Sequence, residues 1–342
     1  MRVSSIITNN KKCGANYVHY LLASEVEMWD VISLRGREHK LYDMSIYSLI
    51  SSRFNLLFRS GLIVEELSEL LESTDVILGD GLAAYFYMKK LSFKYPEKKF
   101  YALVHNDYTI DNRTNWNMIP NRIFNYIYDY ILKDLSIITT SHSAHKALKS
   151  RQLSVSSINN GVLNPITSNI KGDESKVNFW FIGRLVKVKQ VDLLIKAFSV
   201  LPKNCTLNIV GDGDQKEYLL KLCENLNVNY HYWGQKDKPF FNVCKGDVFI
   251  LPSLVEGRSI ALMEAMLAGC CCIVSNIDSN KEFIKYGAIT FDVLSQTDLS
   301  SKLLDVSKLS LNERLSITDM SKADLDFSVH SMVSKYLELF NE

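Results

Sequence analysis

Short apolar runs alternate with helix-patterned segments along this chain, and they do so twice. In the first pass, strands are expected near residues 3–8, 28–34, 75–79, 100–104, 136–140 and 154–158. Helices are expected between them, near 15–24, 62–72, 81–91, 119–133 and 142–149. A strand followed by a helix and another strand closes most readily as a parallel unit, with the helix packed on a sheet face. Residues 162–175, VLNPITSNIKGDES, break the rhythm with Pro165, Gly172 and a polar run, and read as a linker. A second alternation follows, with strands near 177–182, 206–210, 228–232, 248–251, 271–275 and 288–291. The expected class is therefore α/β, with two parallel-sheet domains of the Rossmann type. At 342 residues the chain has room for both. The expected divisions are 1–163, 164–324 and a last helical segment, 325–342, in which Met332, Val333, Tyr336, Leu337 and Phe340 share a face.

In such sheets ligands gather where the strands end. FILPSLVEGRSIALMEAMLAG (249–269) reads as a buried strand, a Pro-Ser turn, a short loop and a helix beginning near Ser259. Glu256 stands in the loop beside Gly257, and Glu264 stands about one turn into the helix. Between them lie the backbone N–H groups of residues 257–261, Gly257, Arg258, Ser259 and Ile260 among them, at the positive end of that helix. This arrangement suits an anion flanked on both sides by hydroxyls, as in a nucleoside diphosphate sugar. A second segment, NFWFIGRLVKVKQVDLLIKAFSVL (178–201), places Gly183, Arg184 and Lys189 between a strand and a helix. Arg184 offers a fork and Lys189 a point charge to a diphosphate, whereas Lys187 reads as a solvated loop residue.

GRLVKVKQVDLLIKAF, LNIVGDGDQ, FILPSLVEGRSIALMEAMLAG and VSNIDSNKEFI, in that order, resemble the C-terminal half of the retaining glycosyltransferases of family 4, which have the GT-B fold. The first half is similar through CGANYVHYLLA, LVHND, IITTSHSAHKAL and INNGV. The resemblance implies two Rossmann-like domains facing a cleft: an acceptor-side first domain, a second that binds the nucleotide sugar, and a last helix that crosses back to the first. It implies that Arg184 and Lys189 hold the diphosphate, that Glu264 accepts hydrogen bonds from the ribose, and that Glu256 accepts them from the donor sugar. His105, directly after the strand at 100–104, is similar to a histidine lying near the donor sugar. Gly14 matches one glycine of a usual pair at the first strand-to-helix loop, where Cys13 replaces the other. Gln190 stands where the family commonly has glycine. Gly161 in INNGV suits a tight turn in its own right.

Composition narrows the reading. A net charge of +1 gives no reason to expect nucleic acid as a partner. The cysteines show no CxxC spacing, and Cys270, Cys271 and Cys272 alternate across a strand, which fits a buried strand in a reducing cytoplasm. Asp212-Gly213-Asp214 contains a D-x-D, the diphosphate-metal motif of a different glycosyltransferase fold, but Arg184 and Lys189 already supply positive charge. No metal and no cofactor are expected at the donor. No signal peptide and no apolar run long enough to cross a bilayer is visible. LSFKYPEKKFYALV (91–104), with Lys94, Lys98 and Lys99 among Phe93, Tyr95, Phe100 and Tyr101, could touch anionic lipid or could be a basic loop before a strand.

The expected function is transfer of a sugar, with retention, from a nucleotide sugar to a hydroxyl of a glycan or lipid-linked glycan acceptor. The expected setting is bacterial lipopolysaccharide or capsule synthesis, in the cytoplasm or at the inner face of the membrane. Two alternatives stand beside it: a sugar-nucleotide 2-epimerase of the same shape, and a non-catalytic subunit that keeps the fold.

Overall fold

A computed structural model describes residues 1–9, 14–35, 47–50, 60–105, 121–167 and 176–342. The chain divides into two compact units. One comprises Met1–Gly161 with Val329–Glu342, the other Val162–Ser328.

Among the described residues the first unit holds a seven-stranded, wholly parallel sheet. Its strands are β1 (Val3–Ile7), β2 (Trp29–Arg35), β3 (Tyr47–Ile50), β4 (Val76–Asp80), β5 (Lys99–Val104), β6 (Ser136–Thr139) and β7 (Val155–Ser157). Their order is 3-2-1-4-5-6-7, so the chain winds outward from β1 in one direction and then from β4 in the other. The two directions part between β1 and β4, where the crossovers leave an opening at the carboxyl ends. β1 is buried along its whole length, because helices cover both faces. Those helices are α1 (Gly14–Glu25), α2 (Ser60–Leu70), α3 (Leu82–Lys94), α4 (Asn121–Leu132) and α5 (His142–Lys149). Ser141 starts α5 by accepting the Ala144 N–H at its side chain.

The second unit repeats the plan with β8 (Val177–Ile182), β9 (Cys205–Val210), β10 (Tyr230–Gly234), β11 (Val248–Leu251), β12 (Cys271–Ser275) and β13 (Ile289–Phe291). The order β10-β9-β8-β11-β12-β13 puts the change of direction between β8 and β11. Its helices are α6 (Val191–Phe198), α7 (Lys216–Asn225), α8 (Ile260–Leu267), α9 (Asp278–Lys281), α10 (Gln296–Ser307), α11 (Leu311–Ile317) and α12 (Met320–Asp326). Cys270, Cys271 and Cys272 are fully buried in the approach to and start of β12. Burial pushes the Cys271 thiol up to about 12, which leaves it a small apolar residue with no thiolate chemistry.

The chain leaves the second unit after α12. Phe327 and Ser328 break the helical segment expected over 325–342, and Val162 is bridged in parallel to Ser328. α13 (Val329–Asn341) then returns to the first unit. Its Tyr336 and Phe340 rings pack on Trp29 at 6.4 and 5.9 Å, and Phe340 lies 4.8 Å from Tyr101. Each such aromatic pair adds about 0.5–1.5 kcal/mol beyond the area it buries. Lys99 Nζ donates to Phe340 O at 2.9 Å and Tyr101 Oη to Leu339 O at 3.2 Å, which holds the last turn of the helix. Among the described residues no helix is long and apolar enough to cross a membrane.

Candidate functional site

The second unit assembles its polar loops at the carboxyl ends of β8, β9 and β11. After β8 the chain passes Gly183 and Arg184 and makes a short 3-10 turn, Lys187–Lys189. The buried Val191, Leu194, Ile195 and Phe198 then anchor α6. Gln190 joins the two with φ of 51°, the left-handed conformation that a glycine adopts without strain. That is the physical content of the departure noted in the sequence: the backbone geometry is kept and a side chain tolerates it.

The Gly-Asp-Gly loop after β9 closes against this turn. A Cβ on Gly211 would lie 1.9 Å from Gly183 O, and one on Gly213 would lie 2.3 Å from Leu185 O. The Leu185 N–H donates to Asp212 O and the Gln215 N–H to Leu185 O, both at 2.9 Å. Asp212 spends a carboxylate oxygen on its neighbour's Gly213 N–H at 2.8 Å. The motif's glycines serve loop-on-loop contact, and Asp212 and Asp214 are exposed.

Beyond β11 a loop runs through Glu256 to α8. Leu254 N–H donates to Val188 O at 2.9 Å, which ties this loop to the cationic turn. Lys189 Nζ then meets Glu256 Oε1 at 2.5 Å, their side chains 16% and 10% exposed. Arg184 is exposed and pairs with none of the described residues. Ser259 caps α8 by accepting the Leu262 N–H at 3.4 Å, and this leaves the Ile260 and Ala261 amides directed out of the helix start. Glu264 lies one turn further on. No described group hydrogen-bonds to its carboxyl, and burial pushes its pKa up to about 7.

The structure thus brings Lys189 and Glu256 together on loops that adjoin the α8 start. The Arg258 side chain goes elsewhere. It is 5% exposed, donates to Glu282 Oε2 at 2.8 Å, and lies over the rings of Phe283 and Phe327 at 5.4 and 5.5 Å. It clamps the loop from behind and leaves only its backbone for a ligand. Glu282, its partner, was not singled out in the sequence; VSNIDSNKEFI carried it without a local reason to name it.

In the first unit His105 follows β5. Its Nε2 lies 3.6 Å from Asp80 Oδ2, its Nδ1 lies 3.3 Å from Thr140 Oγ1, and its carbonyl accepts from Ser141 Oγ at 3.4 Å. Burial alone would raise the Asp80 carboxyl, but His105 and, more weakly, His19 attract its charge and hold it below the usual carboxylate range. His19 is fully buried, and burial brings it down to about 4 against the pull of Asp80, so its ring is neutral at physiological pH. Asp80 ends β4 just as His105 follows β5, so the strand-end rule that selects the histidine also selects the aspartate. His19 lies within a helix and carries no sequence signal. Gly14 is exposed at the first position of α1, and Cys13 lies outside the described residues. Gly161 donates its N–H to Met332 Sδ at 3.1 Å, a structural contact with the last helix.

Two parallel sheets of Rossmann order with a returning last helix define the GT-B class. Residues 167–322, most of the second unit, match the family of glycosyl transferases group 1. Over its full length the chain is 21% identical to the O-antigen biosynthesis glycosyltransferase WclY of Escherichia coli, covering 98% of that protein. It is 26% identical to the capsular polysaccharide biosynthesis glycosyltransferase CapH of Staphylococcus aureus, over 66% of this chain and 67% of the relative. Among solved structures, HepE of Anabaena in complex with UDP and glucose superposes with a TM-score of 0.81 at 15% identity, with both chains fully covered.

Proposed function

We propose that this protein transfers a sugar, with retention of anomeric configuration, from a nucleoside diphosphate sugar to a hydroxyl of a glycan acceptor. The setting is bacterial O-antigen or capsule assembly. One observation carries the reading: a part-buried Glu264, its carboxyl without a partner among the described residues, stands one turn inside a helix with open first amides, and the adjoining loops carry Arg184, likewise without an ionic partner among the described residues, and the Lys189–Glu256 ion pair. A ribose diol satisfies Glu264, and the diphosphate takes Arg184, the Ile260 and Ala261 amides, and a share of Lys189. Sugar hydroxyls donate to Glu256, which releases Lys189 toward the phosphates. The UDP-bound HepE structure and the names of WclY and CapH support this donor class and this setting.

As the glycosidic bond breaks, the diphosphate gains charge, and its cationic partners act more strongly in the transition state than in the ground state. The resemblance supplies the rest of the mechanism: the acceptor hydroxyl attacks from the face the leaving group occupies, and a donor phosphate oxygen takes its proton. The reading gives the diphosphate no metal. UDP affinity, measured by calorimetry in excess EDTA and again with magnesium or manganese, should therefore agree within about twofold, a difference of about 0.4 kcal/mol. Binding that appears only with the cation would return Asp212 and Asp214 to the site as ligands.

We also place the protein at the inner face of the membrane. Part of the basic-aromatic segment of the sequence is used internally: Lys98 Nζ donates to the Leu71, Glu72 and Thr74 carbonyls at 2.7–2.9 Å, and Lys99 to α13. The better candidate surface is α4. Its inner side buries Phe124, Tyr128, Ile131 and Leu132, while Ile123, Tyr126, Ile127 and Tyr130 are 53%, 73%, 42% and 60% exposed at helical spacing. Exposed Lys133 follows the helix, and exposed Lys90, Phe93 and Lys94 lie on α3, which packs against it. Tyrosines and aliphatic side chains flanked by lysines suit an anionic interface. The double substitution Tyr126→Ser, Tyr130→Ser should lower binding to phosphatidylglycerol vesicles at least tenfold, about 1.4 kcal/mol, with turnover on a water-soluble acceptor kept. Equal vesicle binding by the variant would remove α4 from the interface.

A further inference from the structure

The first unit holds a cluster of three side chains, of which the family resemblance drew attention to His105 alone. Asp80 ends β4, His105 follows β5, and His19 approaches from α1. His105 Nε2 and His19 Nε2 lie 3.6 and 4.0 Å from Asp80 Oδ2, and the three atoms are all within 4.8 Å of one another. Among the described residues no other His, Cys, Asp or Glu side chains group in this way. Both Nε2 atoms are buried and, among the described residues, lie within hydrogen-bonding distance of no partner, Asp80 Oδ2 standing just beyond it. A histidine at home in a core satisfies its nitrogens. Here two rings turn an unsatisfied nitrogen toward one carboxylate.

The far side of each ring is already fixed. His19 Nδ1 lies 2.9 Å from Ser5 Oγ, which also accepts the Trp29 indole N–H at 2.9 Å. His105 Nδ1 lies 3.3 Å from Thr140 Oγ1. Each hydroxyl oxygen can accept an Nδ1–H, and that tautomer leaves the Nε2 lone pair pointing at Asp80. Ligating histidines are held in this manner, with the non-ligating nitrogen donating to a neighbour. His19 is completely enclosed, whereas the Asp80 and His105 side chains are 16% and 15% exposed, so solvent reaches the cluster from the side of those two residues.

We propose that His19, Asp80 and His105 bind one first-row divalent cation of the zinc class, with a fourth coordination position open to solvent. Two imidazoles and one carboxylate suit zinc, iron or cobalt; magnesium and calcium prefer all-oxygen sets. Bonds of about 2.0–2.2 Å in a tetrahedral site bring ligand atoms to roughly 3.4 Å apart, so the ion draws the three side chains in slightly. It would tie α1 to the ends of β4 and β5. The inference concerns the first unit alone and does not depend on the donor reading of the second.

The test uses the full-length, tag-free protein, stripped with EDTA and titrated with cobalt(II) and then zinc. The expected result is one cobalt per chain, with the visible absorption of a four-coordinate site, displaced by zinc and untouched by excess magnesium. Zinc should raise the melting temperature. His105→Asn and Asp80→Asn, both at the open side of the cluster and checked for fold by circular dichroism, should each weaken zinc binding at least 100-fold; Asp212→Asn should not. UDP affinity retained by Asp80→Asn separates loss of the cation from failure of the donor pocket. Absence of stoichiometric cobalt binding overturns the proposal, and so does binding that folded His105→Asn and Asp80→Asn both keep. An Asp80→Asn protein with full zinc affinity but a raised donor KM in His105→Asn would instead place His105 beside the donor sugar.

Discussion

Arg184→Ala should lower turnover by roughly 100-fold or more, the loss that accompanies removal of one donor from an oxyanion-stabilising site. The structure makes this arginine the cleaner of the two cationic probes. Arg184 is exposed and pairs with no described residue, so its removal should leave the fold and melting temperature unchanged. Lys189 is different. It is held by Glu256 at 2.5 Å, and Lys189→Ala would leave that carboxylate, 10% exposed, without its cation. The single mutant would therefore lose about 1–3 kcal/mol of stability in addition to activity. Arg184→Lys should recover little, since a point charge cannot reproduce a bidentate fork. Because both cations serve the same phosphates, the double mutant should fall short of the product of the single effects. The effect belongs mainly in turnover, with a smaller change in donor KM, because the diphosphate charge grows as the bond breaks. Normal turnover in Arg184→Ala with nucleotide affinity intact would place the pocket elsewhere and defeat the whole donor assignment.

The difference between these cations was not legible in the sequence. GRLVKVKQ shows that Arg184 and Lys189 sit between a strand and a helix, because the apolar periodicity changes there. It cannot show that Glu256, 67 residues later, reaches back to one of them and not the other. The same boundary runs through the fold. Strands such as Val177–Ile182 and Val248–Leu251 are apolar on both faces and declare themselves. Tyr47–Ile50, a four-residue strand at the sheet edge, is too short to display a period and was not expected. α4 was expected as a helix, but in NRIFNYIYDYIL the polar Asn121, Arg122, Asn125 and Asp129 take only a narrow strip, so which part of the wide apolar arc faces solvent depends on what packs against it. Arg258 looks like a loop cation and is a buried clamp, since Glu282, Phe283 and Phe327 meet it only in three dimensions. Asp80 and His105 obey one strand-end rule, yet resemblance drew attention to the histidine alone.

The second large effect concerns Glu264 and has two signs. In the folded protein burial pushes its carboxyl up to about 7, from an ordinary value of 4.5. The folded state therefore holds the proton more tightly than the unfolded chain. Stability is unaffected below about pH 4, falls as pH rises from the unfolded toward the folded value, and stays reduced above about pH 7. Glu264→Gln removes the ionisable group and should be neutral near pH 4 but stabilising at pH 8, by up to about 3 kcal/mol if the carboxylate finds no partner. Donor binding should change in the opposite direction. Ribose hydroxyls donate to the carboxylate, so the substitution forfeits hydrogen bonds to a charged group, about 1.5–3 kcal/mol, or roughly 10- to 150-fold in donor KM. Wild-type affinity should also tighten as pH rises through about 7, because binding at lower pH must first remove the proton. Glu264→Gln should lose that pH dependence. The ligand for this measurement is an intact nucleoside diphosphate sugar, whose esterified phosphates do not titrate near pH 6 as a terminal phosphate does. A more stable variant that binds poorly is the signature of a residue kept at the expense of stability for its ligand. A Glu264→Gln protein that is folded, no more stable at pH 8 and unchanged in donor affinity would show that the carboxyl has a partner of its own and lies outside the site.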